Sequence, residues 1–423
     1  MRAKEESAAL AGAGGRRGSI WSLVFTLNLL LTLCCFIVGQ GLNSGTSVYI
    51  NACGGSAAYA GTLAAVFSVA AAFVRLLSGS IIDSKGRRIV ILVGTTALVL
   101  GTIMPAIDHG PATFVIARLL QGAGFSAATT AAATVAADAL PAARMGEGIG
   151  FYGLGQAIAM SIGPALALFL VSTNPPENLF YGLCASAVIA GLLALICRYE
   201  KHPELLPQDA TYRLRAENGE LNATTREENS GFAQRVFEKR ALPGAIPQLV
   251  ICPAFGFGIF FVGLYGTALG CQNAGLFYTV AAVSMVVVRI KAARLMDRVA
   301  PLKLMTFAVI MGLVAYAMLL LCGTMLSGNT ALDVVFCTAG VPYGLCLGMS
   351  MPLNQSIAVK NTPPNRWGAA NALFQLAIDC GIGATCLLWG IINDAFGFPV
   401  TIVCVMVFIA AALLTAKLCY PKQ

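Results

Sequence analysis

The stretch "GSIIDSKGRR", residues 79–88, sits between two long apolar runs and carries one carboxylate and three cations. Asp83 comes first, and Lys85, Arg87 and Arg88 follow it. Ten residues this charged stand out in a chain of this composition. Of 423 residues, 57% are hydrophobic and only 11% charged, with a mean hydropathy of +0.78. Soluble domains average about 25% charged residues, and a large core does not explain so deep a depletion. The 45 glycines suit helices packed closely in lipid, where small residues let backbones approach. The composition reads as an all-α polytopic membrane protein.

Hydropathy predicts twelve apolar segments, each long enough to cross a bilayer. They lie near 20–42, 57–82, 88–107, 111–137, 146–171, 178–198, 244–268, 273–295, 302–325, 331–356, 367–392 and 397–418. The first follows a basic flank, as a secretory leader does. Its length, the missing Ala-x-Ala exit and the many later runs make it an uncleaved helix instead. The connections alternate in charge. Those after segments 1, 3, 5, 7, 9 and 11 hold no lysine or arginine, only Asp108, Glu177, Asp333, Asp394 and His109. The remaining connections carry the cations.

This segregation follows the positive-inside rule and predicts that both termini and residues 79–88 face the cytoplasm of a bacterial inner membrane. The net charge of +8 reflects the same skew toward an anionic leaflet. Lipid accounts for it, and no nucleic-acid partner is expected. The one long polar connection, 199–242, predicts a cytoplasmic linker between an N-terminal bundle, 1–198, and a C-terminal bundle, 243–423.

The two halves repeat. "FVRLLSGSIID" at 73–83 aligns with "VVRIKAARLMD" at 287–297, an offset of 214 that pairs Arg75 with Arg289 and Asp83 with Asp297. A second register, offset 222, pairs Phe114 with Phe336, Gly122 with Gly344, Pro141 with Pro363 and Arg144 with Arg366. Two six-helix halves in one orientation imply a pseudo-two-fold axis along the membrane normal, with a site between them at midplane.

At these residues the chain resembles the major facilitator superfamily (MFS). Gly79, Asp83, Gly86, Arg87 and Arg88 match that family's G-x-x-x-D-x-x-G-R-R motif, and the second copy keeps Asp297 and Arg298. Arg118, Gln121, Gly122 and Gly124 match its R-x-x-Q-G-x-G pattern. Of the G-x-x-x-G-P-x-x-G-G element of segment 5, only Gly163 and Pro164 are present. The resemblance implies a carrier that alternates its access, with the 79–88 cluster latching the halves on the cytoplasmic side. Arg87 would reach Asp138, and Asp83 would face the start of segment 11. The other reading of 79–88 is a topogenic basic loop without a gating role.

Ionisable groups inside spans are costly and default to function. Asp379 lies thirteen residues beyond Arg366, roughly 20 Å along a helix. It is read as the proton carrier, tuned by Arg118, or as a structural carboxylate. The resemblance implies proton coupling for Arg118, whose other readings are an anionic substrate's partner or a brace to neighbouring carbonyls. Arg75 and Arg289 either snorkel or join the latch. Gln121, Tyr152, Gln156, Tyr265, Tyr343, Asn371 and Gln375 are the candidates to line a substrate cavity.

The fourteen cysteines have no metal spacing and no histidine partner. No metal, cofactor or enzymatic activity is expected, since no phosphate-binding loop of the GxxxxGK[ST] kind is present. The expectation is a monomeric secondary transporter whose partners are protons and a small molecule, exporting an organic or amphipathic compound by antiport. Proton-driven uptake of an organic anion is the alternative. A transporter-like sensor is the reading from another class.

Overall fold

The computed structural model describes residues 19–141, 144–198, 200–217, 238–296, 299–324, 331–362 and 367–420. Among these residues the chain is almost wholly helical, with a single isolated bridge between Pro141 and Ala210. The first six segments form α1 (Leu23–Ala52), α2 (Ala57–Lys85), α3 (Arg87–Ile107), α4 (Pro111–Asp138), α5 (Met145–Ser172) and α6 (Asn178–Ile196). A short helix, α7 (Thr211–Glu217), lies in the central connection. The seventh segment is split into α8 (Leu242–Phe260) and α9 (Val262–Ala268), and α10 (Leu276–Met296) and α11 (Pro301–Thr324) follow. The tenth is split into α12 (Ala331–Thr338) and α13 (Gly340–Lys360). The last two run together as α14 (Trp367–Cys419), folded back at Gly397.

Hydropathy ended the first segment near residue 42, but α1 continues to Ala52. Residues 43–47 are Asn, Ser, Gly, Thr and Ser, polar or without a side chain, yet Asn43 through Ile50 are buried. Ser44 and Ser47 donate to the carbonyls of Gln40 and Asn43, four residues back, so their hydroxyls need no water. A hydropathy window cannot register polarity that is satisfied within the helix.

Twelve membrane-spanning helices in two six-helix bundles result, and their packing repeats with the sequence. Contacts between the halves run chiefly through α2 with α14 and α5 with α10, with smaller ones from α1 to α8 and α9. A two-fold that exchanges α2 with α10 and α5 with the first part of α14 maps one major contact onto the other. Two glycines carry the same symmetry within the halves. A Cβ on Gly122 would sit 2.3 Å from Phe67 O, and one on Gly344 would sit 2.0 Å from Ala281 O. Gly344 is 222 residues beyond Gly122, and Ala281 is 214 beyond Phe67. Backbone approach this close leaves no room for a side chain.

Gly397, at φ 81° and ψ 171°, reverses the chain between the last two segments. That conformation is essentially confined to glycine, and other residues pay about 1–3 kcal/mol to adopt it. Gly397→Ala is therefore expected to lower the unfolding temperature of detergent-purified protein by several degrees, with the helical content of the folded state unchanged. Thermal melts followed by circular dichroism check this; an unaltered melt would mean that another turn is available there.

Candidate functional site

The 79–88 stretch becomes a helix end, a one-residue corner and a helix start. α2 ends at Lys85, α3 begins at Arg87, and Gly86 between them takes φ 88° and ψ 156°. The glycine of the motif is thus required by backbone conformation. It also leaves the amides at the start of α3 without a side-chain cap. Glu200 replaces that cap, accepting from Arg87 N at 2.8 Å and Arg88 N at 3.1 Å. A carboxylate there offsets both the unsatisfied donors and the positive end of the helix dipole.

Arg87 Nε donates to Asp138 Oδ2 at 3.1 Å, and its guanidinium lies 5.9 Å from the centre of the Tyr212 ring on α7. Arg88 Nη2 donates to Leu195 O. The structure therefore gathers Arg87, Arg88 and Asp138 around the connection that follows α6. Glu200 and Tyr212, which sequence reasoning did not select, complete the cluster. Gly79 and Asp83 lie on α2, but the Asp83 side chain, Asp297 and Arg298 lie outside the described residues, as does the Asn371 side chain.

Between the halves, Arg75 Nε donates to Asp379 Oδ2 at 2.7 Å and Arg75 Nη1 to Thr130 Oγ1 at 3.4 Å. The two charged side chains are 12% and 18% exposed. The partner of Asp379 is thus Arg75 and not Arg118. The reason is direction: α2 lies against α14, whereas α4 turns Arg118 toward α1. Arg118 Nη1 donates to Asn43 Oδ1 (3.3 Å) and Gln121 Oε1 (3.2 Å), and Nη2 donates to Leu42 O (3.3 Å). Its carbon stands 5.5 Å from the Phe67 ring centre, and Gln121 in turn donates to Gly101 O at 2.7 Å. Arg118 and Gln121 form one buried brace inside the first half.

At the end of the bundle opposite Arg87, a second carboxylate meets a helix start. Asp394 on α14 accepts from Ala57 N at 3.0 Å and Ala58 N at 2.8 Å, while Ser56 Oγ accepts from Tyr59 N at 3.1 Å. Three amides that begin α2 are satisfied, two of them by the other half of the molecule. Close by, a Cβ on Gly61 would lie 2.5 Å from Cys386 O. The contact closes α2 on α14 at this end. Sequence reading placed Asp394 only as a charge in a connection, because its partner is a backbone 337 residues away.

The candidate lining residues divide. Tyr343 borders an apolar cavity of about 20 Å³ between α5, α8, α10 and α13, together with Met160, Pro164, Tyr278 and Met285. Tyr152 is buried, accepts from Thr32 Oγ1 at 3.2 Å and is bonded to the half-buried Gln156. Gln375 is half-buried one turn before Asp379. Tyr265 instead donates to Leu319 O at 3.0 Å and lies with its ring tilted 4.8 Å from that of Phe398, which makes it part of the second half's core.

A family model described as Major Facilitator Superfamily matches residues 28–385. The staphylopine export protein of Staphylococcus aureus is 24% identical over 91% of this chain and 94% of its own length. The multidrug resistance protein MdtL of Klebsiella pneumoniae is 26% identical over 42% of this chain; there the chain spans about half, 47%, of the relative. Among solved structures, the xylose transporter XylE of E. coli, in a partially occluded inward-open conformation, superposes with a TM-score of 0.72. It is 14% identical, over 95% of this chain and all of that one. The nucleoside transporter NupG gives a TM-score of 0.68 at 13% identity, over 95% of this chain and all of that one.

Loss of a helix-capping acceptor costs about 1 kcal/mol. Asp394→Ala is accordingly expected to speed amide hydrogen exchange at Ala57 and Ala58 by about fivefold, with α12 and α13 unaffected. Exchange followed by mass spectrometry on peptides covering residues 53–62 reads the effect. Unchanged protection would show that the carboxylate does not hold that helix start.

Proposed function

The chain belongs to the major facilitator superfamily, and on that premise we propose that it is a proton-coupled exporter of a small organic or amphipathic compound. The observation that carries the reading is the Arg75–Asp379 pair. It joins the two halves within the membrane-spanning region, and neither side chain is fully enclosed. Two unit charges in contact attract by about 4 kcal/mol at an effective dielectric of 20, a scale that suits a contact made in one state and broken in the other.

A proton arriving at Asp379 from outside removes the negative charge, and among the described residues Arg75 then keeps the Thr130 hydroxyl as its side-chain partner. α2 and α14 lose their attraction at this depth, the halves rock, and the cleft changes the side to which it opens. Release of the proton into the cytoplasm restores the pair and resets the carrier. On this reading residues 1–198 and 243–423 are the moving bodies and 199–242 joins them. Both termini and the Arg87 cluster face the cytoplasm of a bacterial inner membrane. A monomer completes the cycle, with substrate, protons and lipid as its partners. Arg87, Arg88, Asp138 and Glu200 hold the cytoplasmic rim, together with Gly79, Asp83, Asp297 and Arg298, and Asp394 holds the outer one.

Export is supported by relatives whose names describe multidrug resistance and staphylopine export. Uptake of an organic anion drew its support from Arg118, and the partners around that guanidinium serve a brace equally well.

Inside-out membrane vesicles with an acidic lumen test the proposal, using labelled naphthoate and ethidium as an anionic and a cationic amphipath. The wild-type chain is expected to accumulate at least one of them in a manner abolished by collapsing the gradient. Asp379→Asn is expected to lose this gradient-driven accumulation by about tenfold or more, while retaining exchange of labelled for unlabelled compound. Accumulation by the variant at the wild-type rate would remove Asp379 as the proton carrier. Uptake by right-side-out vesicles alone would reverse the direction.

A further inference from the structure

Arg289 on α10 is the counterpart of Arg75 under the 214-residue repeat, and each reaches across to the other half. Their partners differ in kind. Arg75 meets a carboxylate, whereas Arg289 Nη1 donates to the backbone carbonyl of Gly153 on α5 at 3.1 Å. Arg289 Nε is buried with no acceptor. Among the described residues, no carboxylate stands within 4.0 Å of this guanidinium. A cation withdrawn from water with donors unused is costly, and a carbonyl dipole only partly offsets it.

Two further observations show what completes it. A Cβ built on Gly153 would meet nothing within 4 Å, so there is space beside the acceptor of Arg289. Further along the same pair of helices lies the apolar cavity, to which Tyr278, Ala281 and Met285 of α10 and Met160 and Pro164 of α5 contribute. On α10 the steps from 278 to 281, 285 and 289 keep one helix face. On α5 the positions 153, 160 and 164 do the same. Both faces therefore present an apolar wall that ends at one cation.

We propose that Arg289 holds the anionic head of an amphipathic organic anion whose apolar body enters against Met160, Met285 and Tyr343 when α5 and α10 part, the cavity of about 20 Å³ between them being water-sized in this state. The assignment rests on the carrier reading above and names its class of cargo. The two arginines have diverged in use: Arg75 is neutralised by an acid of the chain, and Arg289 is left for the acid of the substrate.

Equilibrium binding and thermal stabilisation of the detergent-purified full chain at pH 7 test this, with naphthoate as probe and the uncharged naphthamide as its control. Naphthoate is expected to bind the wild-type chain about tenfold or more tightly than naphthamide. Arg289→Gln removes that preference, and Arg289→Lys keeps part of it. Should the glutamine variant fail to fold, Gly153→Leu fills the space beside the guanidinium and is expected to abolish the naphthoate response. Equal binding of acid and amide, no binding of either, or full naphthoate affinity in Arg289→Gln or Gly153→Leu would overturn the assignment. Binding through Arg289 without accumulation in vesicles would instead overturn the exporter reading and leave this site standing.

Discussion

A guanidinium inside a lipid-embedded bundle persists only where an acceptor meets it, and the Arg75–Asp379 contact is where this chain applies that constraint to join its two halves. The contact lies between α2 and α14, the helices that form the larger interface between the halves. Desolvation makes the pair expensive to separate while both groups are charged, and protonating one partner removes much of that cost. On the proposed carrier cycle the same interaction serves cohesion and change of state.

Around it, the chain uses one device twice. Glu200 meets the amides that start α3, and Asp394 meets those that start α2. A helix start carries unsatisfied donors and a partial positive charge, so a carboxylate brought to it forms strong hydrogen bonds without a cationic side chain. At one end the carboxylate comes from the connection that follows α6, and it fastens that connection to the first half. At the other end it comes from the second half and fastens the halves to each other. The α2–α14 interface therefore holds a backbone-directed clasp near one end and an ion pair deeper in.

The repeat is close in backbone and unequal in chemistry. Gly122 against Phe67 and Gly344 against Ala281 make the same close approach at repeat-related positions. Arg75 and Arg289 occupy equivalent places, yet one faces a side-chain carboxylate and the other a main-chain carbonyl. Packing preserves the symmetric frame because each half must fit its neighbour in the same way. Charge is free to diverge wherever the facing helix offers a different group, as Asp379 of α14 and the Gly153 carbonyl of α5 do here.

The spans, the repeat and the family motif were legible in the residues because each is written locally. Hydropathy follows a window of about 20 residues, loop charge follows the positive-inside rule, and the order Gly79, Asp83, Gly86, Arg87, Arg88 needs no partner to be recognised. The contact of Arg87 with Asp138 was legible too, since both lie at the same end of adjacent segments. What tertiary structure alone decided was the partner of Arg75, Arg118, Arg289 and Asp379. Arg118 and Arg75 were both cations within reach of midplane, and only the rotation of α4 toward α1 and of α2 toward α14 allots Asp379 to Arg75. Glu200 and Asp394 were hidden for the same reason: their partners are backbone amides, which carry no letter in a sequence.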